Sequence, residues 1–181
     1  MKMDHDAAVR AIGILHVLRE FDARLAGTPP LDLDLPGSDI DVLCHAPDPI
    51  RFAAILWREW SLCPGFSLHQ WTSAGRPVVA RFHAHGWEFE VFGQAVPVDG
   101  QMGWRHFVVE RRLLERGSPA LRAAVMARRR SGAKTEAAFA QVLRLDGDPF
   151  EAIAALALAP DEEIDRHLAR AGYAPGAAPS P

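Results

Sequence analysis

Between positions 66 and 92 the helical spacing of the apolar residues gives way to short apolar runs broken by turn residues, alternating in the last of them at Trp87, Phe89 and Val91. Strict alternation is the pattern of extended chain with one buried face, whereas the flanking spacing is that of amphipathic helices. Residues 66–72, 77–85 and 88–92 therefore read as three strands. The turn Ser73-Ala74-Gly75-Arg76 joins the first pair and a tight break at Gly86 joins the second, giving an antiparallel meander. Ahead of it, Ile14, Leu18, Phe21 and Leu25 predict a helix over about 6–25, stopped by Gly27 and Pro29-Pro30. Residues 31–35 alternate apolar and acidic like a half-buried strand until Pro36-Gly37 interrupts, and Ile40, Val42 and Leu43 resume an apolar strand. Pro49 opens a helix that runs to Trp60.

From Met102 onward the helical spacing returns, at Trp104, Phe107, Val108 and Leu114. It continues at Leu121/Val125, at Phe139/Val142/Leu143, and over 151–158 and 162–171. The element order gives an α+β or α/β core over 1–100, a helical C-terminal part over 101–173, and a flexible Pro/Ala/Gly-rich tail over 174–181.

Composition narrows the function classes. The chain has 181 residues, 49% apolar and 24% charged, enough for a buried core. A net charge of −3 argues against nucleic-acid binding through bulk positive charge. Arg111, Arg112, Arg116, Arg122 and 128–130 do form a local basic cluster, readable as solvated helix faces or as a site for an anion or RNA. Cys44 and Cys63 lack metal-site spacing, and Cys44 reads as a small core residue. The start MKMDHDAAVR has no apolar signal core, and no run reaches the roughly 18 apolar residues of a membrane span. A cytoplasmic location without a membrane partner is expected.

The stretch LAGTPPLDLDLPGSDIDVLCHA holds two D-x-D pairs, Asp32/Asp34 and Asp39/Asp41. Alternation puts Asp39 and Asp41 on one strand face, with α-carbons about 6.5–7 Å apart. Carboxylates so placed suit one divalent ion or a bridged pair, the arrangement that supports in-line phosphoryl transfer. The Pro36-Gly37-Ser38 turn sets them at a strand mouth, where a phosphate could meet backbone N–H groups and the Ser38 hydroxyl. Asp32/Asp34 is assigned to the exposed side of the preceding strand or extended arm.

An apolar-Gly-Ser/Thr element, a gap of about ten residues, acid-apolar-acid, and a third strand-borne acid resembles the polymerase β-like nucleotidyltransferase superfamily. The resemblance implies an α+β fold, a mixed sheet flanked by helices with a helical C-terminal part, and gives Gly27 and Thr28 contacts to a nucleoside triphosphate. It gives Asp39, Asp41 and Glu90, with Glu88 as the alternative third acid, the roles of catalytic metal ligands for Mg²⁺ or Mn²⁺. The blocks LAGTPPLDLDLPGSDIDVLC, EVFGQAVPVDGQMGWRH and AKTEAAFAQVLRLDGDPF are similar to those of DUF4269, a bacterial family of unassigned function grouped with nucleotidyltransferase-like proteins. This chain departs from active nucleotidyltransferases in having Thr28 for Ser, two prolines directly after it, and Glu as third acid.

Arg105 and His106 open the helix after the third acid and could reach a triphosphate, as could Lys134 ahead of a helix cap, so these join Gly27, Thr28 and Ser38 as nucleotide-binding candidates. His83 and His85 read as surface residues, and Trp57, Trp60 and Trp71 as core or core-edge residues. The leading expectation is transfer of a nucleoside monophosphate from a triphosphate to an unidentified acceptor, whether small molecule, protein or RNA. The alternatives are a non-catalytic nucleotide-binding or antitoxin-like protein of the same fold, and a metal-dependent phosphohydrolase.

Overall fold

The structure, a computed structural model, describes residues 2–72 and 75–175. The chain divides into two compact units, Met1–Trp104 and Arg105–Pro181. Ser73 and Ala74 of the expected turn lie outside the described residues, as does the expected tail beyond Pro175.

The first unit opens with α1 (His5–Ile12), whose first turn is capped by Asp4 accepting from the Ala7 N–H. The expected single helix over 6–25 is not formed. Gly13 takes the left-handed conformation at φ +67° and ends α1, a second short helix α2 (Ile14–Val17) follows, and Leu25 lies on strand β1 (Arg24–Ala26). Pairing of β1 with β2 (Ile40–His45) outweighed the helical spacing of residues 14–25.

The strand expected over 31–35 is also absent. Pro29, which has no N–H to offer a ladder, starts a 3₁₀ turn through Leu31, and Asp32 follows at φ +53°. The alternation still reported burial: Leu31 and Leu33 are inside and Asp32 is exposed.

Helix α3 (Pro49–Trp60) begins as expected, with Asp48 accepting from the N–H groups of Ile50 and Arg51. The meander forms as β3 (Ser67–Gln70), β4 (Val78–Ala84) and β5 (Trp87–Gln94), antiparallel throughout. The sheet runs β1-β2-β5-β4-β3, and β5 lies parallel to β2 in its centre.

One face of this sheet is the core. Ile40, Val42, Cys44, Phe82, Phe89 and Val91 pack there with Phe52, Leu56 and Trp60 of α3 and with Ile14, Leu18 and Phe21. Trp60, Phe82 and Phe89 stack face to face, with successive centroids 5.3 Å apart. A β-carbon on Gly93 would stand 2.2 Å from the Phe52 ring, so glycine is required where the helix meets the sheet. Trp57 and Trp71, expected in or beside the core, are 60% and 44% exposed; of the three tryptophans considered, only Trp60 is buried.

The second unit continues α4 (Met102–Arg116) and adds α5 (Pro119–Arg130), α6 (Thr135–Leu143), α7 (Pro149–Ala155) and α8 (Asp161–Ala171), matching the helical spacing of the sequence. Leu113, Leu121, Val125, Phe139, Ile153, Ile164 and Leu168 are buried in it. Within the basic cluster, Arg112 and Arg116 are committed to α8: Arg112 bonds Asp161 at 2.6 Å, and Arg116 bonds Asp161 and Asp165 at 2.7 and 2.6 Å.

Candidate functional site

The side of the sheet away from the apolar core carries the charge. Pairing aligns Ala26, Asp41, Glu90 and Arg81 across β1, β2, β5 and β4, and aligned residues share a face. Asp39 immediately precedes β2 and lies two residues from Asp41, on the same side by alternation. Glu88 stands two residues before Glu90 and opposite His83. Neighbouring strands are about 4.8 Å apart, so Asp41 and Glu90 rise from backbone positions at about that separation.

Gly27 shapes the edge of this row. Its φ is +73°, and a β-carbon there would come 1.9 Å from Asp41 Oδ2. The Asp41 carboxylate thus lies over the bare α-carbon of the Gly-Thr element. The prolines after Thr28 fold the chain back tightly, with the Thr28 carbonyl accepting from the N–H groups of both Leu31 and Leu33 at 3.1 Å. This fold-back brings the Thr28 and Ser38 hydroxyls together at 3.5 Å, while Ser38 Oγ accepts from the Leu35 N–H at 2.9 Å. Gly27, Thr28, Ser38, Asp39, Asp41 and Glu90 are therefore all in the first unit and gather along the N-terminal end of β2.

The third acid has a partner that the sequence reading did not identify. Arg81 Nε donates to Glu90 Oε2 at 2.6 Å, and Nη2 reaches the same oxygen. Glu90 is the more buried member, with its side chain 20% exposed against 50% for Arg81. The bonded Glu90, and behind it the charges of Glu88 and Asp39, raise the Arg81 pKa and keep the guanidinium charged. The missed signal was the turn: His85 and Gly86 have φ of +53° and +83°, the two-residue hairpin geometry, which fixes Ala84 opposite Trp87 and hence Arg81 opposite Glu90. Arg24, the other cation flanking the row, bonds Asp22 and Asp99 and lies 4.9 Å from the Trp104 ring.

Carboxylate oxygens are the donors that hard divalent ions take, and Asp39, Asp41 and Glu90 fit Mg²⁺ or Mn²⁺ in kind and in sharing one face. Among the described residues, however, no three His, Cys, Asp or Glu side chains are assembled into a metal cluster. His83 and His85 are exposed.

Arg105, His106 and Lys134 lie in the second unit. His106 is 4% exposed, its Nε2 donating to the Phe150 carbonyl at 2.9 Å and its Nδ1 standing 3.5 Å from Glu136. That bond, with lesser help from other neighbours, holds the Glu136 carboxyl below the usual range against a desolvation effect in the other direction. Both ring nitrogens of His106 thus have protein partners. Arg105 is half-buried, and Lys134 is exposed at the N-cap position of α6.

The fold is similar to those of several solved structures at low sequence identity. The Cid1 poly(U) polymerase, in crystal structures addressing UTP selectivity with MgGTP bound, matches at TM-score 0.52 and 13% identity over 70% of this chain and 40% of that one. The polymerase core of TRAMP, an RNA surveillance complex, matches at TM-score 0.47 and 17% identity over 89% of this chain and 56% of that one. The GLD-2/RNP-8 complex gives TM-score 0.49 and 12% identity over 86% and 57%. The chain therefore spans 40–57% of the length of these proteins. Comparison with curated proteins finds no match.

The chain, a five-stranded mixed sheet flanked by helices, has a polymerase β-like nucleotidyltransferase fold, as its similarity to the poly(U) polymerase structure shows. The chain belongs to the DUF4269 family, a domain of unknown function, whose sequence pattern matches residues 7–156.

Proposed function

We propose that this chain is a Mg²⁺-dependent nucleotidyltransferase that moves a nucleoside monophosphate from a nucleoside triphosphate to an acceptor hydroxyl or phosphate. The observation that carries the reading is the row in which Asp41 stands beside Glu90 on parallel strands while its carboxylate rests over Gly27. Asp39, Asp41 and Glu90 would hold the metal, which when bound would neutralise charge on the transferring phosphate and on the attacking and leaving oxygens. The Thr28 and Ser38 hydroxyls, 3.5 Å apart, supply donors for phosphate oxygens at the end of β1. One carboxylate of the row accepts the proton of the attacking hydroxyl as pyrophosphate leaves.

The test is incubation of the purified chain with each nucleoside triphosphate, Mg²⁺ and candidate acceptors, reading pyrophosphate release and label transfer from the α-phosphate. Release without transfer would favour a phosphohydrolase. Binding without release would favour the second reading, a nucleotide-binding protein of the same fold, for which the pairing of Glu90 with Arg81 speaks.

A further inference from the structure

In its row Glu90 has two neighbours, the Asp41 carboxylate on β2 and the Arg81 guanidinium on β4. It bonds the second. We propose that Arg81 is the resident counter-cation of the acidic face: it holds Glu90 while no divalent ion is bound and releases it when one binds, so that guanidinium and metal compete for the same carboxylate. This inference rests on the metal-dependent reading above and adds to it a device that sets when the site can load.

Three features support it. The first is the charge on this face. Asp39, Asp41, Glu88 and Glu90 share it, and the charges of Glu90, Glu88 and Asp39 all act on Arg81. A divalent ion and a guanidinium each relieve the same crowding, so each weakens the case for the other. The second is asymmetry of burial. Glu90 is 20% exposed and Arg81 50%, so the guanidinium approaches from the solvent side and can swing off without opening the sheet. The third is placement: Arg81 is the direct cross-strand partner of Glu90, and Glu88 stands only 4.0 Å from its Nε, so the released cation stays near acidic ground. A simple surface ion pair would share the bond, but it would not depend on the metal.

The experiment is calorimetric titration of Mn²⁺ into the full chain and into Arg81→Gln, Arg81→Lys and Asp41→Asn, with circular dichroism checking each fold. Competition predicts that Arg81→Gln binds Mn²⁺ about tenfold more tightly than wild type, because it loses both the bond to Glu90 and a nearby positive charge. Arg81→Lys, which keeps the charge and loses the planar fork, falls between them. A second readout is the Arg81 Nε–H resonance, which should sharpen in metal-free protein and lose its Glu90-bound shift on saturation with Mg²⁺. Equal or weaker Mn²⁺ binding by Arg81→Gln overturns the inference and leaves the metal site standing. No specific binding by wild type or by Arg81→Gln overturns the metal reading itself, and the inference with it. Binding that survives unchanged in Asp41→Asn places the ion elsewhere and does the same.

Discussion

The Asp41 carboxylate occupies the space that a β-carbon on Gly27 would need, with 1.9 Å between the two positions. The antiparallel pairing of Ala26 with Asp41 brings the Gly-Thr element at the end of β1 against the acid of β2. The glycine after β1 and the acid on β2 therefore act as one unit, and perturbing either should move the other.

Gly27→Ala tests that unit. The substitution adds a clash with Asp41 Oδ2 to a backbone held at φ +73°, and should cost about 1–3 kcal/mol. Thermal denaturation should show the loss, and Mn²⁺ titration should show weaker binding as Asp41 is displaced. Wild-type values in both measurements would mean that the carboxylate has other places to go.

The acids of the row should not be equivalent. Under the proposed reaction, Asp41→Asn and Glu90→Gln should each lower nucleotidyl transfer by about 10²–10³-fold, the usual effect of losing one preorganised electrostatic group. Glu88→Gln should do much less, since Glu88 lies against His83 at 3.7 Å and its side chain is 38% exposed. Comparable losses at both glutamates would assign them a shared role, and a loss confined to Glu88 would reverse the assignment.

The helical unit should lose stability as pH rises. Burial, reinforced by Glu136 and opposed by Arg129, pushes the Glu110 carboxyl up to about 8 from an ordinary 4.5. Its contribution is fully present below pH 4.5, where folded and unfolded chains both carry the proton. Above that the unfolded state releases the proton first, so stability falls until the folded carboxyl also ionises near pH 8. Glu110→Gln should remove this slope, stabilising the protein at pH 8 by a few kcal/mol and changing little at pH 4.5. Glu136 runs the other way: its lowered carboxyl contributes stability above the ordinary pKa that is lost as pH falls through the folded value. Denaturant melts of wild type, Glu110→Gln and Glu136→Gln from about pH 2 to pH 9 would separate the two slopes.

Phe82 sits between Trp60 and Phe89 in the stack that joins α3 to the sheet. Phe82→Ala should cost about 3–5 kcal/mol through lost burial and a cavity, against under about 1.5 kcal/mol for Phe82→Leu with repacking. Chemical denaturation measures both, and a small loss for alanine would mean that the stack closes over the gap.

Which features were legible in the sequence follows from the range of the forces that set them. The α3 start at Pro49, the strand runs of β4 and β5, and the helical spacing after Met102 depend on neighbours within a turn or a hairpin, so position along the chain records them. The same local logic misled at 6–25 and 31–35. There Gly13 took a left-handed conformation, residues 24–26 were recruited into a strand, and Pro29-Pro30 replaced extended chain with a 3₁₀ turn.

For the site, the sequence by itself determined the inventory: Gly-Thr, a seryl turn, Asp39 and Asp41 on one strand face, and Glu88 and Glu90 on another strand. Only the tertiary structure decided how these residues meet. The parallel register that sets Asp41 beside Glu90 and the contact of Gly27 with Asp41 link positions from different strands, as does the bond from Glu90 to Arg81. So does the burial of His106 against Glu136 and Phe150. Each depends on which strand or helix packs beside which. That choice is made by summed burial and pairing across the whole chain, and no local pattern of residue types encodes it.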